Sequence, residues 1–223
     1  MCFSAPASFA AGGALAAGGI ATLRIPKKKS EVPLSLFPII FAAHQLVEGV
    51  LWLSLTGVIS DGYKLATTYI FIFIAFVFWP IFVPFAVYMV EPGRLRRKII
   101  LFCQLIGLYV GIWYLVCIIQ NPVDAVVASN SISYKMVTPS WYLSPYFIAV
   151  SVPFFVSSNR RLVFLGAALL ISSTIAIYMA CSVTFPSVWC FYAAILSIVI
   201  YLHFHYQARA ARKRATQDLQ HST

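Results

Sequence analysis

Residues 67–90 read TTYIFIFIAFVFWPIFVPFAVYMV and contain no charged side chain. Wound as an α-helix at 1.5 Å per residue, this stretch reaches about 36 Å, more than the roughly 30 Å hydrocarbon core of a bilayer. The apolar run is continuous and lacks the period-two alternation of a barrel strand, so a helix is the spanning form it predicts. Pro80 and Pro84 lie inside it, where each removes a backbone donor and permits a kink.

The same reading extends in both directions. Apolar runs from Ala5 to Leu23, Leu34 to Leu55, Ile99 to Ile119, Trp141 to Val156, Leu162 to Cys181 and Val188 to Tyr206 bring the number of predicted spans to seven. The fifth is the shortest. Across the 223 residues, 61% are hydrophobic and 10% charged, whereas soluble domains carry roughly 25% charged residues. The expected fold is an all-α membrane protein, a bundle of about seven transmembrane helices over residues 1–206, followed by a basic cytoplasmic tail at 207–223.

Charge orients the bundle. Of sixteen Lys and Arg residues, fourteen fall on one side of the map: Arg24 to Lys29, Arg94 to Lys98, Arg160, Arg161 and the group from Arg209 to Arg214. Only Lys64 and Lys135 fall on the other. The positive-inside rule makes the first side cytoplasmic, with the N-terminus outside and the C-terminus inside. The setting expected is a plasma membrane, the inner membrane of a bacterium. A net charge of +10 spread over four cytoplasmic segments suits anionic headgroups and does not imply nucleic acid. The first span has no basic residue before it, unlike a cleavable secretory signal, and is expected to stay as an N-out anchor.

Chemistry has few places to sit. His44 and Glu48 lie near mid-membrane in the second span, four residues apart and therefore one turn apart on one helix face. A carboxylate at that depth costs at least ~2.5 kcal/mol, so it must face the bundle interior and be paired or protonated. Three uses are open. The pair binds a proton, a small cation or a ligand from the outer side, with Gln45, Trp52 and Ser4 completing the site; or Cys2, His44 and Glu48 hold a transition metal such as zinc; or hydrogen bonds to Gln45, Gln104, Tyr109 or Ser172 lock the helices together. In an enzyme, Glu48 and Cys2 are the catalytic candidates, Glu48 as acid/base and Cys2 as nucleophile or ligand.

Cys2, Cys117, Cys181 and Cys190 all map toward the outer side and Cys103 toward the inner. Cys181 and Cys190 flank a turn at Pro186 and form the most plausible disulfide. His203 and His205 sit at the inner end of the seventh span as interfacial residues. No phosphate-binding loop, nucleophile elbow or Cys-x-x-Cys motif is present, and the seventh span has no lysine to hold retinal, which removes nucleotide and retinal from the expected cofactors. The longest loop, Gln120 to Ser140, is expected to be external, and a plain connection is preferred to a lid. Paired small residues at four-residue spacing in the first span, Gly12/Ala16 and Ala14/Gly18, predict close helix approach.

The opening MCFSAPASF, the GIATLR at 19–24 and the QLVEGVLWL at 45–53 resemble an uncharacterised, mainly bacterial family of multi-pass membrane proteins that begin with MCFSA. The resemblance implies no activity. It draws attention to Cys2, Phe3, Ser4, Glu48, Gly49 and Trp52.

Overall fold

The computed structural model describes residues 4–25, 27–128, 131–136, 143–179, 197–210 and 217. Helix α1 (Ala5–Arg24) is followed by a 3₁₀ turn (Lys29–Glu31), the short α2 (Val32–Ser35) and α3 (Phe37–Leu55). Next come α4 (Gly62–Ile72), a π-helical segment (Phe73–Phe78), α5 (Trp79–Val90) and the long α6 (Arg94–Gln120). A two-stranded hairpin, β1 (Asp124–Ala128) and β2 (Ser131–Lys135), precedes α7 (Leu143–Val156), α8 (Arg160–Met179) and α9 (197–210). Among the described residues, four continuous helical stretches, Ala5–Arg24, Lys29–Leu55, Gly62–Val90 and Arg94–Gln120, are long and apolar enough to cross a membrane. Leu143–Val156 is a shorter apolar helix.

Close approach of α1 to α3 rests on glycine. A Cβ on Gly12 would meet Leu46 at 2.9 Å, one on Gly19 would meet Ile39 at 2.6 Å, and one on Gly49 would meet Phe9 at 2.9 Å. The contacts run in opposite chain directions, so the two helices are antiparallel and the start of α1 lies beside the end of α3. The seam uses Gly12 and Gly19, seven residues apart, whereas Gly13 and Gly18 face open space. The expected four-residue pairing therefore gives way to a heptad-like seam, the repeat suited to long antiparallel helices.

The third membrane-length stretch is continuous but not uniformly α-helical, and proline explains why. In the π segment the Trp79 N–H donates to the Ile74 carbonyl, five residues back. The Ala75 carbonyl would next look to residue 80, which is proline and has no N–H. The Tyr146 hydroxyl of α7 donates to it instead, at 2.8 Å. Gly107 and Gly111 of α6 then admit this irregular backbone: a Cβ on Gly107 would stand 1.9 Å from the Pro80 carbonyl oxygen, and one on Gly111 3.0 Å from that of Val77. The prolines thus create a π-bulged crossing cross-linked to α6 and α7.

The loop after α6 is not a plain connection. Its strands pair antiparallel from Asp124↔Lys135 to Ala128↔Ser131, and Ser131, Ile132, Ser133 and Tyr134 are all buried. The hairpin and the residue before it are tied to α4 by a 2.7 Å ion pair between Lys64 and Asp124 and by the Val123 N–H donating to the Tyr69 hydroxyl. Lys64 beside Asp124 holds that carboxyl below its ordinary range. The loop reaches inward, and β2 is the strand that the rest of the protein covers.

Candidate functional site

Helix α3 turns one continuous polar face into the bundle. His44, Gln45 and Glu48 are wholly buried, at 0% exposure, and Trp52 continues the face nearly as deep. Gly49 beside them is covered by the Phe9 ring of α1. The i, i+4 and i, i+8 spacing of His44, Glu48 and Trp52 makes this a single stripe about 12 Å long. Apart from Ser54, the remainder of α3 that packs inward is apolar, including Phe37, Phe41 and Leu51, which sharpens the contrast.

His44 is held from two directions. Its Nε2 lies 3.1 Å from the Phe71 carbonyl oxygen. A carbonyl only accepts, so Nε2 donates and, in the neutral ring, Nδ1 carries the lone pair. Nδ1 has no hydrogen-bond partner among the described residues. The imidazole lies on the Phe71 ring with centroids 4.1 Å apart, and Phe71 in turn stacks on Tyr134 at 4.6 Å and 4°. A column of three rings therefore runs from the buried face of α3 to strand β2. The hairpin thereby packs over this end of the buried face.

The other expected participants fall elsewhere. Ser4 is the N-cap of α1, its hydroxyl accepting from the Ala7 N–H at 3.5 Å, a local capping task that explains serine there. Gln104 donates to the Ile81 carbonyl and Ser172 to that of Leu169, while Tyr109 is exposed on α6. Among the described residues no group of three or more His, Cys, Asp or Glu side chains is placed to hold a metal. Cys103 and Cys117 are buried free thiols. Cys2, and the proposed Cys181–Cys190 pair, lie outside the described residues.

A second polar centre, at the opposite end of the bundle, escaped the sequence reading. Glu91, just beyond α5, is buried. It accepts from the Ser157 hydroxyl (3.1 Å), the Ser158 N–H (2.7 Å), the Ser158 hydroxyl (2.5 Å) and the Gly93 N–H (3.1 Å). Burial alone would raise its pKa, but the bonds from Ser158, Gly93 and Ser157 outweigh it and hold the carboxyl below its ordinary value. Glu91 is a carboxylate clasp between the α5–α6 and α7–α8 turns. The signal available was an acid among the basic residues of the loops at this end, with Ser-Ser-Asn in the α7–α8 turn; counting positive charges alone passes over it.

The family model of a family of unknown function (DUF6629) matches residues 1–216. The chain belongs to this family. No curated protein and no solved structure matches it. In this DUF6629 protein the buried α3 face and the Glu91 clasp are therefore read on their own geometry.

Proposed function

We propose that this protein is a multi-pass membrane protein of seven spans, N-terminus outside and C-terminus cytoplasmic, that binds a proton or small cation in a buried site built on Glu48 and His44. Gln45 and Trp52 extend the site, and the hairpin β1–β2 is its lid on the outer side. The observation that carries this reading is the complete burial of a carboxylate and an imidazole, one turn apart, on one face of a membrane-length helix. Intramembrane ionisable groups are expensive to bury and mark ion and proton sites in membrane bundles. The orientation of His44 adds support, since its Nδ1 acceptor is directed to no described group.

Binding would serve transport or sensing. The basic tail and the inner loops rest against anionic headgroups in this arrangement, which suits the inner membrane of a bacterium. The test is thermal unfolding of the purified protein in nanodiscs as a function of sodium concentration and of pH from mildly acidic to alkaline, above the acid range in which Glu91 titrates. Wild type is expected to show a midpoint that depends on one or both, and Glu48→Gln to lose that dependence. A wild-type midpoint indifferent to both, or a Glu48→Gln variant that keeps the dependence, would sink the proposal.

A further inference from the structure

The end of the bundle that holds Glu91 contains a cavity of about 310 Å³, lined by Glu31, Glu91, Ser158, Asn159, His203 and Gln207 among others. That volume falls in the range of small-molecule pockets. We infer that this cavity binds a primary ammonium group, approached from the cytoplasmic side and separate from the α3 site.

The charge of the lining points to a cation. Two carboxylates face the cavity and, among the described residues, no lysine or arginine lines it, although basic residues crowd this end of the chain. Two cations at this end of the bundle are engaged elsewhere. Arg161 donates from Nη1 to the His203 carbonyl oxygen and lies over the Tyr206 ring at 5.5 Å. Lys27 donates from Nζ to the carbonyls of Thr22 and Leu23. The carboxylates are already positioned: Glu91 by its four donors, and Glu31 by the Lys28 N–H at 2.7 Å and the Gln207 amide at 2.7 Å. Each Glu31 oxygen has one donor and retains a second lone pair, so Glu31 can accept further bonds without rearranging, whereas Glu91, with two donors on each oxygen, contributes its charge.

An independent observation marks a missing partner. His203 lines the cavity and is 7% exposed, yet its Nδ1 has no hydrogen-bond partner among the described residues. A buried ring nitrogen left in that state is costly, and a bound donor relieves the cost. A primary ammonium supplies three donors and one positive charge. Those donors match the His203 ring nitrogen and the Glu31 carboxylate, and the charge is balanced by Glu31 and Glu91 together around one small volume. A quaternary ammonium has the charge without the donors and provides the control.

The same chemistry is available from a soluble amine or from a phosphatidylethanolamine headgroup, and the experiment separates them. The protein in phosphatidylcholine nanodiscs is titrated with ethylammonium chloride and, at equal ionic strength, with tetramethylammonium chloride, following the melting midpoint. In a parallel arm, phosphatidylethanolamine replaces part of the phosphatidylcholine with no amine added. Wild type should show saturable stabilisation by ethylammonium and none by tetramethylammonium, or stabilisation by phosphatidylethanolamine if the lipid is the source. His203→Phe and Glu31→Gln should each weaken the effect about tenfold, the scale of one lost bond to a charged group. Glu31 is partly exposed, so its variant keeps the fold even if the His203 variant does not. Equal responses to the two ammonium ions with no lipid effect, or a Glu31→Gln protein that responds like wild type, would overturn the inference.

Discussion

The Tyr146 hydroxyl donates to the Ala75 carbonyl at 2.8 Å, and that carbonyl is the one whose next backbone donor is missing because residue 80 is proline. The irregular crossing and α7 are thus joined by a bond that neither segment would make alone. In an apolar interior an unmet carbonyl costs more than the bond itself contributes. Tyr146→Phe should therefore destabilise the folded protein by about 1–2 kcal/mol. Pro80→Ala restores an N–H, so in the double variant the Tyr146→Phe cost should shrink; a double-mutant cycle of unfolding in mixed micelles measures the coupling. Full additivity would mean that Tyr146 does not serve this carbonyl.

Gly107 and Gly13 are both helical glycines with opposite surroundings. Gly107→Ala forces a methyl against the Pro80 carbonyl, which is backbone and cannot step aside. It should cost about 3 kcal/mol, at the upper end for overpacking, or prevent folding. Gly13→Ala meets nothing within 4 Å and should be neutral or stabilising by about 0.5–1 kcal/mol through helix propensity. Comparing the two by denaturant titration tests the α5–α6 contact, and equal effects would contradict it.

Glu91 makes a pH-dependent contribution whose sign is set by its lowered pKa. A depressed carboxyl adds stability above its unfolded pKa and loses that stability as pH falls through the folded value. Wild type should therefore weaken on acidification below pH 4.5, the ordinary value for this carboxyl. Glu91→Gln should be less stable at neutral pH by about 2 kcal/mol and show a flatter acid limb. Melting curves across the acid range of both proteins check this, and parallel acid limbs would remove Glu91 as the titrating group.

The lid role of the hairpin can be read from the exposure of His44. Diethylpyrocarbonate modifies accessible neutral imidazole, and mass spectrometry of the peptide containing His44 reports it. His44 should be protected in wild type. Tyr134→Ala removes the outermost ring of the column, a stacking contribution of about 0.5–1.5 kcal/mol, and should speed modification of His44 up to about tenfold. Lys64→Gln, which breaks only a solvent-exposed ion pair, should change it little. Unchanged protection in Tyr134→Ala would mean that the hairpin does not close the site.

Hydropathy made the helices legible because bilayer thickness imposes a length and a composition at once. The buried face of α3 was legible for a related reason: the cost of an intramembrane carboxylate leaves Glu48 nowhere to point but inward. The inner and outer refinements were not. The π segment depends on which carbonyl Pro80 orphans and on Tyr146, more than sixty residues away, a pairing that no local pattern encodes. The hairpin had a signal in Val126, Val127, Ile132 and Tyr134 around a two-residue connection, but turn-forming neighbours such as Asn121-Pro122 favoured reading the whole segment as loop. Ser4 invited a functional reading by its place near Cys2, when its backbone neighbours give it a capping task.

The central claim, that the α3 site exchanges a proton or small cation at Glu48, is tested most directly by infrared difference spectroscopy of the protein in nanodiscs. Spectra are compared between mildly acidic and mildly alkaline buffer, with and without sodium. The expected result is a protonated-carboxyl band that bleaches as pH or sodium rises and is absent from Glu48→Gln. A wild-type spectrum without that band, or a band that persists in Glu48→Gln, would contradict the assignment.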